Sequence, residues 1–271
     1  MKHLIKRTLL FTIPLILSAC IFDSNDDDEA EPWNAEAVCP AEGNNIYGMP
    51  NRGSFTDERD GQVYKYTTIG DQVWMAENLR YAAPYSTCSN DTNFVEQYCK
   101  LIELNCKTET CCKESLCHHF GRYYTIIENG KWMGNIDIDL ADTICPKGWH
   151  IPQKHEWERL EKKMIMPGEN KTNAASRMKS SDSSFFAMSS TQINELNRTY
   201  VGTDDCSLSI LPSGFMYEGG MTLEFNASLL SSTQEDSHFI STYRIGNKSS
   251  FEIQNYRDAI RCVMDPVNPE L

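Results

Sequence analysis

The chain has no apolar run long enough to cross a membrane, no excess of positive charge and none of the short motifs that mark the commonest catalytic sites. Its main apolar stretch, Leu9 to Leu17, falls well short of the roughly 20 residues a membrane-spanning helix needs. Lys and Arg number 25 against 38 Asp and Glu, a formal net charge of -13. A surface of that sign repels phosphates, which argues against nucleic acid and anionic lipid head groups as partners. There is no Gly-x-Ser-x-Gly elbow, no glycine loop to cradle phosphate and no paired-carboxylate motif of hydrolytic chemistry. Asn135-x-Asp137-x-Asp139 opens like a calcium loop, but Leu140 and Pro146 stand where glycine and glutamate belong, which rules out an EF-hand. A looser calcium site from Asp137, Asp139 and Asp142 stays open.

What the N-terminus does have is informative. Met1 to Arg7 is basic, the apolar run follows, and Leu17-Ser18-Ala19-Cys20 closes it, the layout of a signal peptide over residues 1–20. Leu-Ser-Ala-Cys resembles the lipobox of bacterial lipoproteins, which implies that Cys20 becomes the acylated first residue; an ordinary secretory signal is the alternative. Without Cys20 the eleven cysteines become ten, an even number suited to an oxidising compartment. Residues 21–54 show no periodicity, and Asp23 to Glu31 is an acidic run with no aliphatic residue larger than alanine. Such composition predicts a solvated, disordered linker. The expected location is the cell envelope, lipid-anchored in the outer membrane. Acidic residues behind the acylated cysteine also resemble a surface-export signal.

Order is expected from Phe55. Val63 to Ile69 is rich in β-branched and aromatic residues, Gly70-Asp71 is a turn, and Gln72 to Met75 is the return strand. Pro152 suits a first helical turn, and Trp157, Leu160 and Met164 then recur at helical spacing, with Glu158 and Lys162 on the wet face. A second short helix is predicted near Thr172 to Lys179. Short strands follow, with Gly219-Gly220 between Ser209–Tyr217 and Met221–Phe225, and Gly246-Asn247 between His238–Ile245 and Ser249–Tyr256. Helices followed by runs of strands favour α+β.

Several blocks stand out: Thr56 to Tyr64, Ile69 to Tyr81, Phe120-Gly-Arg-Tyr-Tyr-Thr125, Cys145-Pro-Lys-Gly-Trp-His-Ile-Pro152 with Glu156-Trp157, Leu211-Pro-Ser-Gly-Phe215, Ser231-Ser-Thr233 and Ile260-Arg-Cys-Val263. Together they closely resemble the Fibrobacter succinogenes major paralogous domain. The resemblance covers residues 55–265. It implies a C-type-lectin-like fold, disulfide-rich, with few helices packed on irregular, mostly antiparallel sheets and the termini brought together. Two departures stand out. Gln153 replaces the hydroxyl residue usual near the helix start, so that start is expected to fray, a good cap being worth about 1 kcal/mol. Leu229-Leu230 replaces the aromatics usual before Ser-Ser-Thr.

The resemblance also implies that Cys88 pairs with Cys117 around a cysteine-rich insertion, about residues 88–117, whose inner Cys99, Cys106, Cys111 and Cys112 form two bridges of unread connectivity. Cys145 is expected to be stapled to Cys262, which leaves Cys39 for Cys206 by elimination. Zinc on Cys106, Cys111, Cys112, Cys117, His118 and His119 competes with this reading, but the export signal favours oxidised sulfurs. His150 and His155 lack the one-face spacing of a helical zinc pair; His150, between Trp149 and Ile151, reads as a hydrogen-bonded core residue. His238 carries no motif.

Neither a Glu-Pro-Asn or Gln-Pro-Asp loop nor a Trp-Asn-Asp strand is present, so the calcium-dependent sugar binding of C-type lectins is not expected. Formylglycine-generating enzymes share the fold class and use two nearby cysteines, yet only Cys206 and Cys262 follow Cys145 here. The expectation is a lipid-anchored binding or adhesion module for polysaccharide or another surface protein, with no catalytic residue, metal or cofactor. Tyr217 and Phe225 are its candidate sugar platform. A thiol-dependent enzyme and a purely structural envelope component are the rival readings.

Overall fold

The computed structural model describes residues 32–83, 86–88, 116–124, 127–128, 131–132, 143–181, 202–217, 220–222, 227–234, 240–246, 248–254 and 257–266. The chain divides into Met1–Glu31 and Pro32–Leu271. In chain order the elements of the second unit are α1 (Ala35–Val38), β1 (Arg52–Thr56), β2 (Val63–Ile69), β3 (Gln72–Met75), β4 (Tyr123–Tyr124), β5 (Ile127–Glu128), β6 (Lys131–Trp132) and β7 (Trp149–His150). There follow α2 (Lys154–Lys163), α3 (Lys171–Met178), β8 (Phe215–Tyr217), β9 (Gly220–Thr222), β10 (Ala227–Gln234), β11 (Ile240–Ile245), β12 (Ser249–Gln254), β13 (Asp258–Ala259) and β14 (Val263–Met264). The class is α+β, with few helices and two mostly antiparallel five-stranded sheets.

The first sheet has the order β1-β2-β3-β14-β7. The expected hairpin forms with Ile69 opposite Gln72, and Gly70 takes the positive φ of +60° that its turn demands and a side chain disfavours. Alternation along the strands sends Tyr64, Tyr66, Val73 and Met75 to one apolar cluster, while Ile69 and Trp74 go to the other. The C-terminal β14 inserts between β3 and β7, with Val263 opposite both Trp74 and His150. Cys262 stands one residue before it, facing Cys145 at a Cα–Cα distance of 6.1 Å, within the range a disulfide spans.

The second sheet has the order β12-β11-β10-β13-β4, parallel only where β10 meets β13. Helix α2 lies between the sheets. Its Trp157, Leu160 and Met164 are fully buried at the spacing the sequence predicts. Trp157 packs on Trp74 of the first sheet and Tyr243 of the second, with ring centroids 4.5 and 4.7 Å away. Glu161 is also buried, accepting hydrogen bonds from the hydroxyls of Tyr243 (2.9 Å) and Ser249 and pairing with Lys171 (2.8 Å). One side chain thus ties α2 to α3 and to the second sheet.

Three expectations need correction. The folded unit starts at Pro32, not at Phe55, so the linker assigned to residues 21–54 is too long. The segment has no periodicity but is pinned by individual contacts: Trp33 donates to the Lys163 carbonyl (3.0 Å) and lies under the Arg177 guanidinium (4.2 Å), and Asn34 caps α1. Cys39 faces Cys206 at a Cα–Cα distance of 5.5 Å. Helix α2 begins at Lys154, so Pro152 lies before its first turn. That start is not bare: the Glu156 carboxylate accepts the backbone N–H of Gln153, the N-cap residue, at 2.9 Å, the reciprocal half of a capping box.

Candidate functional site

Strand alternation makes the two faces of the second sheet chemically opposite. Leu229, Tyr243 and Ala259 enter the apolar core. The intervening Ser228, Thr242 and Asp258 point to the other face and are equally buried. Register assembles them: Ser228 is opposite Arg244, Thr242 is opposite Glu252, and pairing of Leu229 with Ala259 sets Ser228 beside Asp258. The Thr242 hydroxyl donates to Asp258 Oδ2 at 2.7 Å. Arg244 pairs with Glu252 at 2.7 Å and lies 5.4 Å from the centre of the Phe215 ring. On the neighbouring β4, Tyr124 is opposite Asp258 and joins the second apolar cluster, whereas Tyr123, opposite Ala259 on the core face, donates its hydroxyl to the Ser213 carbonyl.

This face is polar, buried and incompletely satisfied. Among the described residues, Asp258 Oδ1 and Ser228 Oγ on this face have no hydrogen-bond partner, nor does Ser213 Oγ in the loop before β8. Burial pushes the Asp258 carboxyl above the usual carboxylate range, opposed by the nearby Thr242 and Ser228 hydroxyls and by Arg244. Leaving such a group unpaired costs about 1–3 kcal/mol, and the same holds for Arg52 Nε, Gln72 Oε1, Trp74 Nε1 and Trp157 Nε1 of the first sheet and α2. An acidic acceptor beside two hydroxyls, with an Arg–Glu pair nearer solvent, suits a ligand rich in hydroxyl groups. The alternation around Leu229 and Tyr243 was the available sequence signal; the two-residue β13 that brings in Asp258 left none.

A second cluster joins the first sheet to α2. His150 Nδ1 is 2.8 Å from Asp265 Oδ1, and Nε2 is 2.9 Å from Glu156 Oε2. Burial works against the charged ring, but hydrogen bonds to Glu156 and Asp265 outweigh it and raise the imidazole pKa. Burial likewise works against the Glu156 carboxylate, and the hydrogen bonds from His150 and the Gln153 N–H win, lowering it.

Residues 67–264, which hold both clusters apart from Asp265, match the Fibrobacter succinogenes major domain family. The chain belongs to this family. No curated protein and no solved structure shows significant similarity to it. In this Fibrobacter succinogenes major domain, Trp149 and His150 form β7, Glu156 holds the start of α2 and Trp157 fills the space between the sheets. The block Ile260 to Val263 delivers Cys262 to Cys145 and Val263 to the core. Its Arg261 is buried and donates to Asn78 Oδ1 (2.9 Å) and to the Leu208 carbonyl.

The other predicted residues fall as follows. Cys88 and Cys117 face each other at a Cα–Cα distance of 5.3 Å. Cys20, Cys99, Cys106, Cys111, Cys112, Asp137, Asp139, Asp142, Phe225 and His238 lie outside the described residues. Tyr217 ends β8. His118 is exposed and its ring meets His119 edge-on at 5.6 Å, while His155 is exposed on α2. Ser231 is buried in β10, and Ser232 donates to the Ile151 carbonyl, which gives that hydroxyl a structural role. Among the described residues no three His, Cys, Asp or Glu side chains are grouped to hold a metal ion. None of their helices is long and apolar enough to cross a membrane.

Proposed function

We propose that this protein is a lipid-anchored binding module of the cell envelope, of C-type-lectin-like fold, whose second sheet holds a polysaccharide. Cys20 carries the lipid, the acidic run up to Glu31 separates it from the domain, and display at the outer surface follows from that run. The reading is carried by one observation: the neighbouring Asp258 and Ser228 each bury an oxygen without a hydrogen-bond partner on the sheet face opposite Leu229 and Tyr243. Arg244 and Glu252 are its more exposed members. The test is a glycan array probed with the wild-type chain and with Asp258→Asn and Arg244→Ala. Retention of a glycan by wild type and its loss in both variants supports the proposal; equal retention by all three removes the assigned face. Capture of an envelope protein with no glycan retained replaces the ligand class.

The thiol-enzyme alternative requires a reduced cysteine pair. Cys206 and Cys262 each sit at disulfide distance from another cysteine, which favours the non-catalytic reading. Free-thiol titration of the folded protein discriminates the two: reactive Cys206 or Cys262 sinks the binding-module account.

A further inference from the structure

A neutral imidazole carries one N–H and one lone pair. Between two carboxylates, a neutral His150 would have to turn its lone pair on one of them; only the doubly protonated ring can donate to both Glu156 and Asp265 at 2.9 and 2.8 Å. We propose that His150 is a proton-operated latch, clipping the chain after β14 to the start of α2 and letting Asp265 go when the ring loses a proton.

The geometry selects which contact yields. Glu156 is 12% exposed and is held from a second side by the Gln153 backbone N–H, whereas the Asp265 side chain is 52% exposed. Among the described residues, the charged and titratable groups around the ring come from two elements. From α2 come Glu156 and, acting on Glu156, His155. From the residue after β14 comes Asp265, whose carbonyl accepts the neutral phenol of Tyr47 at 2.9 Å and whose N–H donates to the Gly148 carbonyl at 3.0 Å. Release of the carboxylate therefore leaves those two weaker ties, three residues beyond Cys262 in the chain.

The sign follows from linkage. A histidine whose folded pKa is raised stabilises the fold fully below its ordinary value, about 6.5, and that stabilisation is lost as pH rises through the raised value. Glu156, lowered in the fold, adds stability above its ordinary value that is lost as pH falls through the lowered one. The latch is shut between the two.

The experiment is a histidine-resolved NMR titration of the full chain, with hydrogen exchange of the Asp265 amide followed over the same pH range and corrected for intrinsic base catalysis. Expected is a His150 titration above the ordinary value, with amide protection falling roughly tenfold through it, the least that losing a hydrogen bond between charged groups costs. Asp265→Asn should lower the His150 titration. His150→Gln should leave the amide poorly protected at every pH; should that variant not fold, wild type and Asp265→Asn decide alone. A His150 titration at or below the ordinary value, or protection that stays flat through it, overturns the proposal.

Discussion

The two sheets share one core but treat their outer faces differently. In the first, both faces carry apolar clusters: Trp74, Ile69 and Val263 pack toward Trp157, and Tyr64, Tyr66, Val73 and Met75 form a second cluster with Trp149 and Ile260, although Thr67, Thr68 and Gln72 are buried among them. In the second, one face carries Leu229, Tyr243 and Ala259, while the other buries Ser228, Thr242 and Asp258. Burying an unpartnered polar atom gives up stability in either sheet; in the first these are Arg52 Nε, Gln72 Oε1 and Trp74 Nε1, and in the second they are the neighbouring Ser228 hydroxyl and Asp258 carboxyl oxygens. On the function proposed above, the first sheet is the scaffold and the second the working surface.

Changes in the scaffold should act on stability first. Replacing Cys145 and Cys262 together with serine opens a loop of 117-residue separation, which the chain-entropy account puts at about 5 kcal/mol; guanidinium unfolding under non-reducing conditions measures it. Trp157→Ala removes the side chain that touches both sheets and should lower stability by about 3–5 kcal/mol by the same measurement. If either change cost under about 1 kcal/mol, the first sheet would not be the scaffold.

On the second sheet the order should reverse. Asp258→Asn keeps the shape and an acceptor for the Thr242 hydroxyl, so stability at neutral pH should stay within about 1 kcal/mol of wild type while ligand retention is lost. Its pH profile sharpens the point. Because burial raises the Asp258 pKa, wild type should lose stability as pH rises from the ordinary carboxylate range near 4 through the raised value. The asparagine variant should lack that slope. Arg159→Ala, at an ion pair with Asp71 in which both side chains are about half exposed, should change stability by less than about 0.5 kcal/mol and leave binding alone.

The scaffold was largely legible in the sequence. The 63–75 hairpin shows as β-branched alternation around a glycine turn, and α2 shows as three apolar residues at helical spacing, because both patterns are local. Glu161 was invisible: its partners Tyr243 and Ser249 lie far along the chain, and a helical glutamate reads as surface. The segment after Pro32 was missed for the same reason, since it has no period and is held by Trp33, Arg177 and Cys206 one contact at a time. The polar face was the least legible part. A serine or threonine in a strand looks the same whether it meets solvent or a buried carboxylate, and β13 is too short to carry a pattern.

The clamp formed by Trp33, Arg177 and the Cys39–Cys206 pair also sets a length. On the proposal that Cys20 carries the lipid, Ile21 to Glu31 would allow a reach of at most about 40 Å, against roughly 120 Å for a linker running on to Ser54. On that proposal the domain would meet what lies flat against its own cell sooner than anything drifting at a distance.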